Sequence, residues 1–233
     1  MTASPEPGGG GDSGTDGDDY PAVAHTTPGR HRERIRYDRD IVHAVLDEAL
    51  ICSVGFVSDG RPVVLPTLHV RSGETVYLHG STGSWLRRVA VERGEVCVSA
   101  TVVDALVLAR SAFHHSMNYR SVVLFGRPRE VVDRNEKRAS LTALVDHVLR
   151  DRSAEVRGPN TRELAATIVL ALDLAEVSAK VRTGPPVDDA EDLSAPIWAG
   201  VVPLRSDLGV PVPAPELPTG MALPPSLAGP IGR

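Results

Sequence analysis

Four clusters of residues combine polar side chains with irregular backbone in ways that chemistry can use. The first is Val64-Leu65-Pro66-Thr67-Leu68-His69. A proline inside a strand forfeits a ladder donor and marks an edge or an irregular stretch. Free backbone groups beside Pro66, with the Thr67 hydroxyl, suit a planar polar ligand. His69 lies two residues on and shares a strand face with Thr67. Taken alone, these residues read more simply as an interior threonine and a satisfied core histidine. The second cluster is His79-Gly80-Ser81-Thr82-Gly83-Ser84-Trp85-Leu86-Arg87-Arg88. A strand ends there, a Gly- and hydroxyl-rich loop follows, and a helix begins with two arginines in reach. Helix N-terminal amides, hydroxyls and guanidinium groups are what a phosphate dianion needs. A plain cap by Ser81 or Ser84 with solvated arginines is the simpler alternative.

The third cluster, Asn118-Tyr119-Arg120-Ser121, opens the longest strand, where Arg120 is either an anion clamp or an exposed edge charge. His114 and His115 just before it point apart as neighbours in sequence and have no carboxylate or thiol with them, so no metal site is expected. The fourth is Ala179-Lys180-Val181-Arg182-Thr183-Gly184-Pro185-Pro186, followed by Ile197-Trp198-Ala199-Gly200-Val201. Trp198 in that Pro- and Gly-rich setting either closes over a pocket or partner, or caps a barrel end. No Ser-His-Asp or paired-carboxylate arrangement, no Gly-x-Gly-x-x-Gly after a strand and no Walker loop is present, so hydrolases and the common nucleotide folds lack support.

The elements that must position these clusters follow from periodicity. Asp38 to Leu50 has helical apolar spacing at Ile41, Val42, Val45, Leu46 and Ala49. Strands are expected over Ile51–Val57, Pro62–Val70 and Thr75–His79, joined by Ser58-Asp59-Gly60 and Ser72-Gly73-Glu74 turns. Ser84 to Arg93 reads as a short helix, Glu95–Val103 and Ala105–Ala109 as strands, and Tyr119–Val132 as a long one. Arg134–Arg150 and Glu163–Leu170 read as helices, and Leu172–Arg182 as the last strand. Strands joined by hairpin turns dominate the first half, which suggests a closed antiparallel barrel with peripheral helices.

Composition bounds the rest. Residues 1–30 carry almost no large apolar side chains and are expected to be disordered. Residues 205–233 are crowded with proline, as in Val210-Pro211-Val212-Pro213, and read as a passive tail. A single folded domain over 31–204 remains. A net charge of -5 argues against a surface devoted to nucleic acid. Cys52 and Cys97 sit in alternating apolar runs without zinc spacing and read as buried free thiols of a reducing compartment. No apolar run reaches membrane-spanning length, and no secretory signal pattern opens the chain, so a cytoplasmic address is expected.

In this order the four clusters resemble the pyridoxamine 5'-phosphate oxidase-like flavoprotein superfamily, nearest to its flavin-nucleotide-binding, nitroimidazole-resistance reductase branch. The resemblance covers roughly residues 31–204 and rests on Val64–His69, His79–Arg88, Asn118–Gly126, and Lys180–Pro186 with Trp198-Ala199-Gly200. It implies a mainly β, six-stranded split barrel that binds FMN between the subunits of a homodimer. Val64, Leu65, Pro66, Thr67 and His69 would lie along the flavin ring. His79, Gly80, Ser81, Thr82, Ser84 and Trp85 would border the phosphate, with Arg87, Arg88 and Arg120 to meet its charge. Ser121 and Trp198 would complete the pocket. Where vitamin B6 oxidases carry a Ser-Arg-Lys triplet this chain reads Ser84-Trp85-Leu86, which weighs against that substrate. His69 resembles the reductase-branch histidine that faces the flavin and would orient or protonate the substrate. The implied activity is FMN-dependent reduction of a small oxidant such as a nitroaromatic or quinone, with NAD(P)H as candidate donor. A protein that only binds or stores flavin, deazaflavin or haem is the alternative.

Overall fold

The computed structural model describes residues 19–86, 89 and 94–228. A two-residue strand β1 (Ile35–Arg36) precedes helix α1 (Arg39–Glu48). Val42, Val45 and Leu46 of α1 have no exposed surface, as the helical spacing predicts. Strands β2 (Ile51–Ser58), β3 (Arg61–Ser72) and β4 (Thr75–Ser81) follow as hairpins, then β5 (Val96–Leu108), β6 (Ser116–Gly126) and the short β7 (Arg129–Glu130). Helix α2 (Arg134–Val148) and the short helix α3 (Thr161–Ala166) lead into β8 (Thr167–Asp173), β9 (Glu176–Arg182) and β10 (Gly200–Pro203). Asp59 and Gly60, and Gly73, take positive φ in the two hairpin turns, which is why Asp-Gly and Ser-Gly stand there.

The strand order is β1-β9-β6-β5-β2-β3-β4-β8-β7, with β10 on β5. This is the antiparallel α+β split-barrel architecture. Ten strands, not six, make the sheet, and its order ends at β1 and β7 instead of closing. Three of the additions are short: β1 and β7 have 2 residues each and β10 has 4. β3 belongs to both halves of the split. Arg61–Leu68 pairs with β2, and His69–Ser72 pairs with β4. Side chains from both halves and from α1 fill one core, including Cys52, Val54, Leu78, Val98, Leu124, Leu170 and Val177.

Three sequence expectations need correction. Glu163–Leu170 is not one helix: α3 stops at Ala166, and Thr167 starts β8. The run Ile168-Val169-Leu170-Ala171-Leu172 is buried on both faces, and such a run has no period that separates helix from strand. The strand over Leu172–Arg182 is therefore the β8–β9 hairpin. The tail expected over 1–30 also ends early. Residues 1–18 lie outside the described residues, but Tyr20 is buried in the core and its hydroxyl donates to Glu74 at 2.7 Å. Finally, the stretch expected as a passive tail holds a short helix at Pro225–Ala228, and Ser226 binds the Glu155 carboxylate through its amide and hydroxyl.

Among the described residues, no helix is long and apolar enough to cross a membrane.

Candidate functional site

Period-2 alternation divides β2, β3, β5 and β6 into an inner and an outer face. Leu65 and Thr67 stand opposite Val54 and Cys52 and face inward, half-buried. Val64 and Pro66 face outward and are exposed. Ile51, Val57 and Val64 are 56%, 63% and 66% exposed, and together with Val103 they give the outer face an apolar character that no described element covers. Ser121 lies on this face too, paired with Thr101 on one side and Lys180 on the other.

His69 does not face this surface. Past Leu68 the strand leaves β2 for β4, and the His69 side chain passes beneath α1, with no exposed surface. Its Nε2 meets the Leu46 carbonyl at 2.9 Å. Its ring lies 5.2 Å from that of His147 on α2, while Nδ1 has no hydrogen-bond partner among the described residues. Burial, reinforced by the neighbouring His147, pulls the His69 pKa down to about 4. At neutral pH it is uncharged, so the expected substrate-orienting and proton-donating role does not fit this chain as it stands. His147 had no sequence signal beyond its place in a helix.

The Ser81–Leu86 turn is built largely on itself. Ser84 donates both its amide and its hydroxyl to the Ser81 carbonyl, at 2.9 and 2.6 Å, and the Thr82 amide donates to Ala166. Gly80 permits this close return: a Cβ there would lie 2.7 Å from Leu86 Cδ1 and 2.9 Å from Ser84 Oγ. Trp85 stacks on Phe56 against the core, which removes it from the expected phosphate border. His79 is half-buried, and its Nδ1 has no hydrogen-bond partner among the described residues. Arg87 and Arg88, expected to meet a phosphate, lie outside the described residues.

Arg120 is committed elsewhere. Its guanidinium donates to both Asp104 oxygens and to both Glu48 oxygens, with contacts from 2.6 to 3.2 Å. Asp104 sits at the irregularity that shifts the β5–β6 register, so the extra residue aims its carboxylate at Arg120. These hydrogen bonds push the Arg120 pKa up. An arginine already neutralised by two carboxylates is not a free anion clamp, and that expectation is corrected.

Trp198 is 66% exposed and rests its indole against Gly200, where a Cβ would meet the ring at 3.0 Å. Just upstream, Asp188 ties this segment to the sheet by accepting from the Arg110 amide and guanidinium, both at 2.8 Å. β10 then pairs with the end of β5, so Trp198 hangs from a fixed strap beside the sheet.

The arrangement is a split barrel with a polar turn at one end and an uncovered apolar face. The pyridoxamine 5'-phosphate oxidase sequence profile matches residues 38–181. The chain belongs to that family. Solved structures similar to this chain include the flavocytochrome Anf3 from Azotobacter vinelandii. It is 38% identical over 88% of this chain and 95% of its own, with a TM-score of 0.81. The FAD- and haem-binding protein from Mycobacterium smegmatis is 42% identical over 85% of this chain and 98% of its own, also with a TM-score of 0.81. A 5-nitroimidazole antibiotic resistance protein from Bacteroides thetaiotaomicron, described in its structure as putative, shares the fold at 20% identity and a TM-score of 0.55, over 63% of this chain and 86% of its own. No curated protein sequence matches.

Proposed function

We propose that this chain is a flavin-nucleotide oxidoreductase that works as a homodimer and reduces a small oxidant. The observation that carries the reading is near-full-length similarity, at 38% and 42% identity, to a flavocytochrome and to a FAD- and haem-binding protein. The uncovered face around Val64 and Pro66 supports it, since a flavin ring needs an apolar wall and a dimer needs an apolar contact. FMN is the nucleotide implied by the sequence resemblance; the relative's FAD makes the larger nucleotide an equal candidate. When bound, the flavin supplies the electron chemistry. The residues of this chain supply the wall, exclude water and offer His79 Nδ1 as an unused hydrogen-bonding atom. Nitroaromatics and quinones are the substrates proposed, with NAD(P)H as donor.

A second reading adds haem, and one observation favours it. With its Nε2–H held by Leu46, His69 presents a lone pair on Nδ1 inside an apolar core. A neutral imidazole whose other nitrogen is fixed by a carbonyl has the donor chemistry of a haem ligand. His147, held through Nε2 by Ala49 at 3.0 Å, is the neighbouring candidate.

The visible spectrum of the purified protein tests both. Two flavin bands that bleach with NADH or NADPH support the enzyme, and a Soret band abolished by His69→Ala supports haem. A colourless protein that takes up neither cofactor sinks the proposal.

A further inference from the structure

Arg182 closes β9 on the outer face of the sheet, opposite Tyr119 of β6. It is 9% exposed. A buried guanidinium ordinarily faces a carboxylate, because removing an unpaired charge from water costs several kcal/mol. Arg182 has none among the described residues. Its Nη1 donates to Asn118 Oδ1, and Asn118, itself buried, is oriented by donating to the Gly184 carbonyl at 3.1 Å. No other acceptor among the described residues reaches the remaining N–H groups of the fork.

The surroundings add positive charge instead of removing it. Arg34 precedes β1, which pairs with β9 through Ile35 and Lys180. Burial first, and the Arg34 charge second, hold Arg182 below the ordinary arginine range. Arg34 has one loose carboxylate neighbour, Glu33 at 3.7 Å, which is exposed and shared with His31. Lys180 lies two residues before Arg182, hence on the same face, and has no ion pair among the described residues. Arg120, one residue along β6 from Tyr119, takes the available carboxylates, Asp104 and Glu48. The sheet thus segregates its charges: one arginine saturated with acid, and another buried without any.

We propose that Arg182, with Arg34 and Lys180 beside it, is a phosphate-binding site that takes the phosphate or pyrophosphate group of a nucleotide-type ligand. A dianion accepting from the free edge of the Arg182 fork would satisfy its unused donors and separate it electrostatically from Arg34. The phosphate could arrive on the flavin nucleotide itself or on a separate phosphorylated substrate. Naming the flavin rests on the function proposed above; the anion site does not.

The test uses the full-length chain purified free of ligand. Inorganic pyrophosphate is titrated while the melting temperature is followed, and riboflavin, FMN and FAD are titrated by fluorescence quenching. Pyrophosphate should raise the melting temperature of the unmodified protein and leave that of Arg182→Gln unmoved. FMN or FAD should bind about ten- to a hundredfold more tightly than riboflavin, a preference that falls below about threefold in Arg182→Gln. If pyrophosphate stabilises Arg182→Gln as it does the unmodified protein, or if the nucleotide preference survives the change, the site is overturned while flavin binding stands. If pyrophosphate acts only through Arg182 but no flavin binds, the flavin reading fails and the site serves a separate phosphorylated ligand. Should Arg182→Gln fail to fold, the less buried pair Arg34→Gln and Lys180→Gln decides. The double variant must weaken the pyrophosphate response severalfold, and an unchanged response overturns the site.

Discussion

The Trp85 indole lies flat on the Phe56 ring, with 4.9 Å between centroids and planes 8° from parallel. The contact joins the turn after β4 to β2 and closes that end of the core. At this position the side chain packs instead of binding charge. Trp85→Ala should destabilise the fold by about 3 kcal/mol, and Trp85→Phe by well under half of that. Urea unfolding of both variants measures this. A Trp85→Ala protein as stable as the original, but with weakened flavin binding, would return the residue to the cofactor.

His69 makes stability depend on pH. Its folded pKa, near 4, lies below the unfolded value near 6.5, so between those values the unfolded chain holds more protons. Its contribution is complete above about pH 6.5, declines as pH falls toward 4, and changes no further below that. Between pH 7 and pH 5 the loss from this group should be about 2 kcal/mol. His69→Gln should flatten that slope in urea titrations at the two pH values. An unchanged slope would mean that His69 titrates normally and is more accessible than its burial indicates.

In the sequence Arg120 stood out as a candidate anion ligand and Arg182 did not, although both are arginines at strand ends. What separates them is the register irregularity at Asp104 and the position of Glu48 at the end of α1. Both are long-range facts, and no local pattern encodes them. The hairpins were legible because Asp-Gly and Ser-Gly turns interrupt alternating runs, and α1 because its apolar stripe is unbroken. β8 was not, since burial on both faces erases its period. His69 was legible as a strand residue. That β3 changes partners at that residue, turning the side chain under α1, is a property of the whole sheet.

Arg120→Ala should therefore affect folding more than binding. Asp104 would lose the guanidinium it shares with Glu48. The network is partly exposed, with the Arg120 side chain at 27%, so solvent screening holds the loss to about 1 kcal/mol. Pyrophosphate and flavin affinities should change less than threefold. A larger fall in FMN than in riboflavin affinity would restore Arg120 as the phosphate ligand.

Among the described residues, core contacts at the N-terminus include Tyr20, well before residue 30. Removing residues 1–18 should leave the melting temperature nearly unchanged. Removing 1–30 also takes away a buried tyrosine, its bonds to His43 and Glu74, and the buried Thr26. That deletion should cost about 3 kcal/mol in urea unfolding. Equal stability of the two truncations would show that the Tyr20 contacts contribute nothing.

Val64 tests the dimer. It is 66% exposed in the single chain and sits among Ile51 and Val57 on the uncovered face. A charge at an exposed strand position changes the stability of a lone subunit by about 0.5 kcal/mol or less. Buried in a symmetric interface, the same charge meets its own copy or an apolar partner, and an unpaired charge removed from water costs several kcal/mol. Val64→Glu should thus convert a dimer to a monomer while leaving the circular dichroism of the subunit unchanged. Light scattering at micromolar concentration reads the mass, and a flavin titration on the same samples reads the site. If the subunits share the cofactor, mass and flavin affinity fall together. If the mass halves and the flavin stays, each subunit holds its own. If the unmodified protein is already monomeric with flavin bound, the apolar face has another partner and the homodimer proposal is wrong.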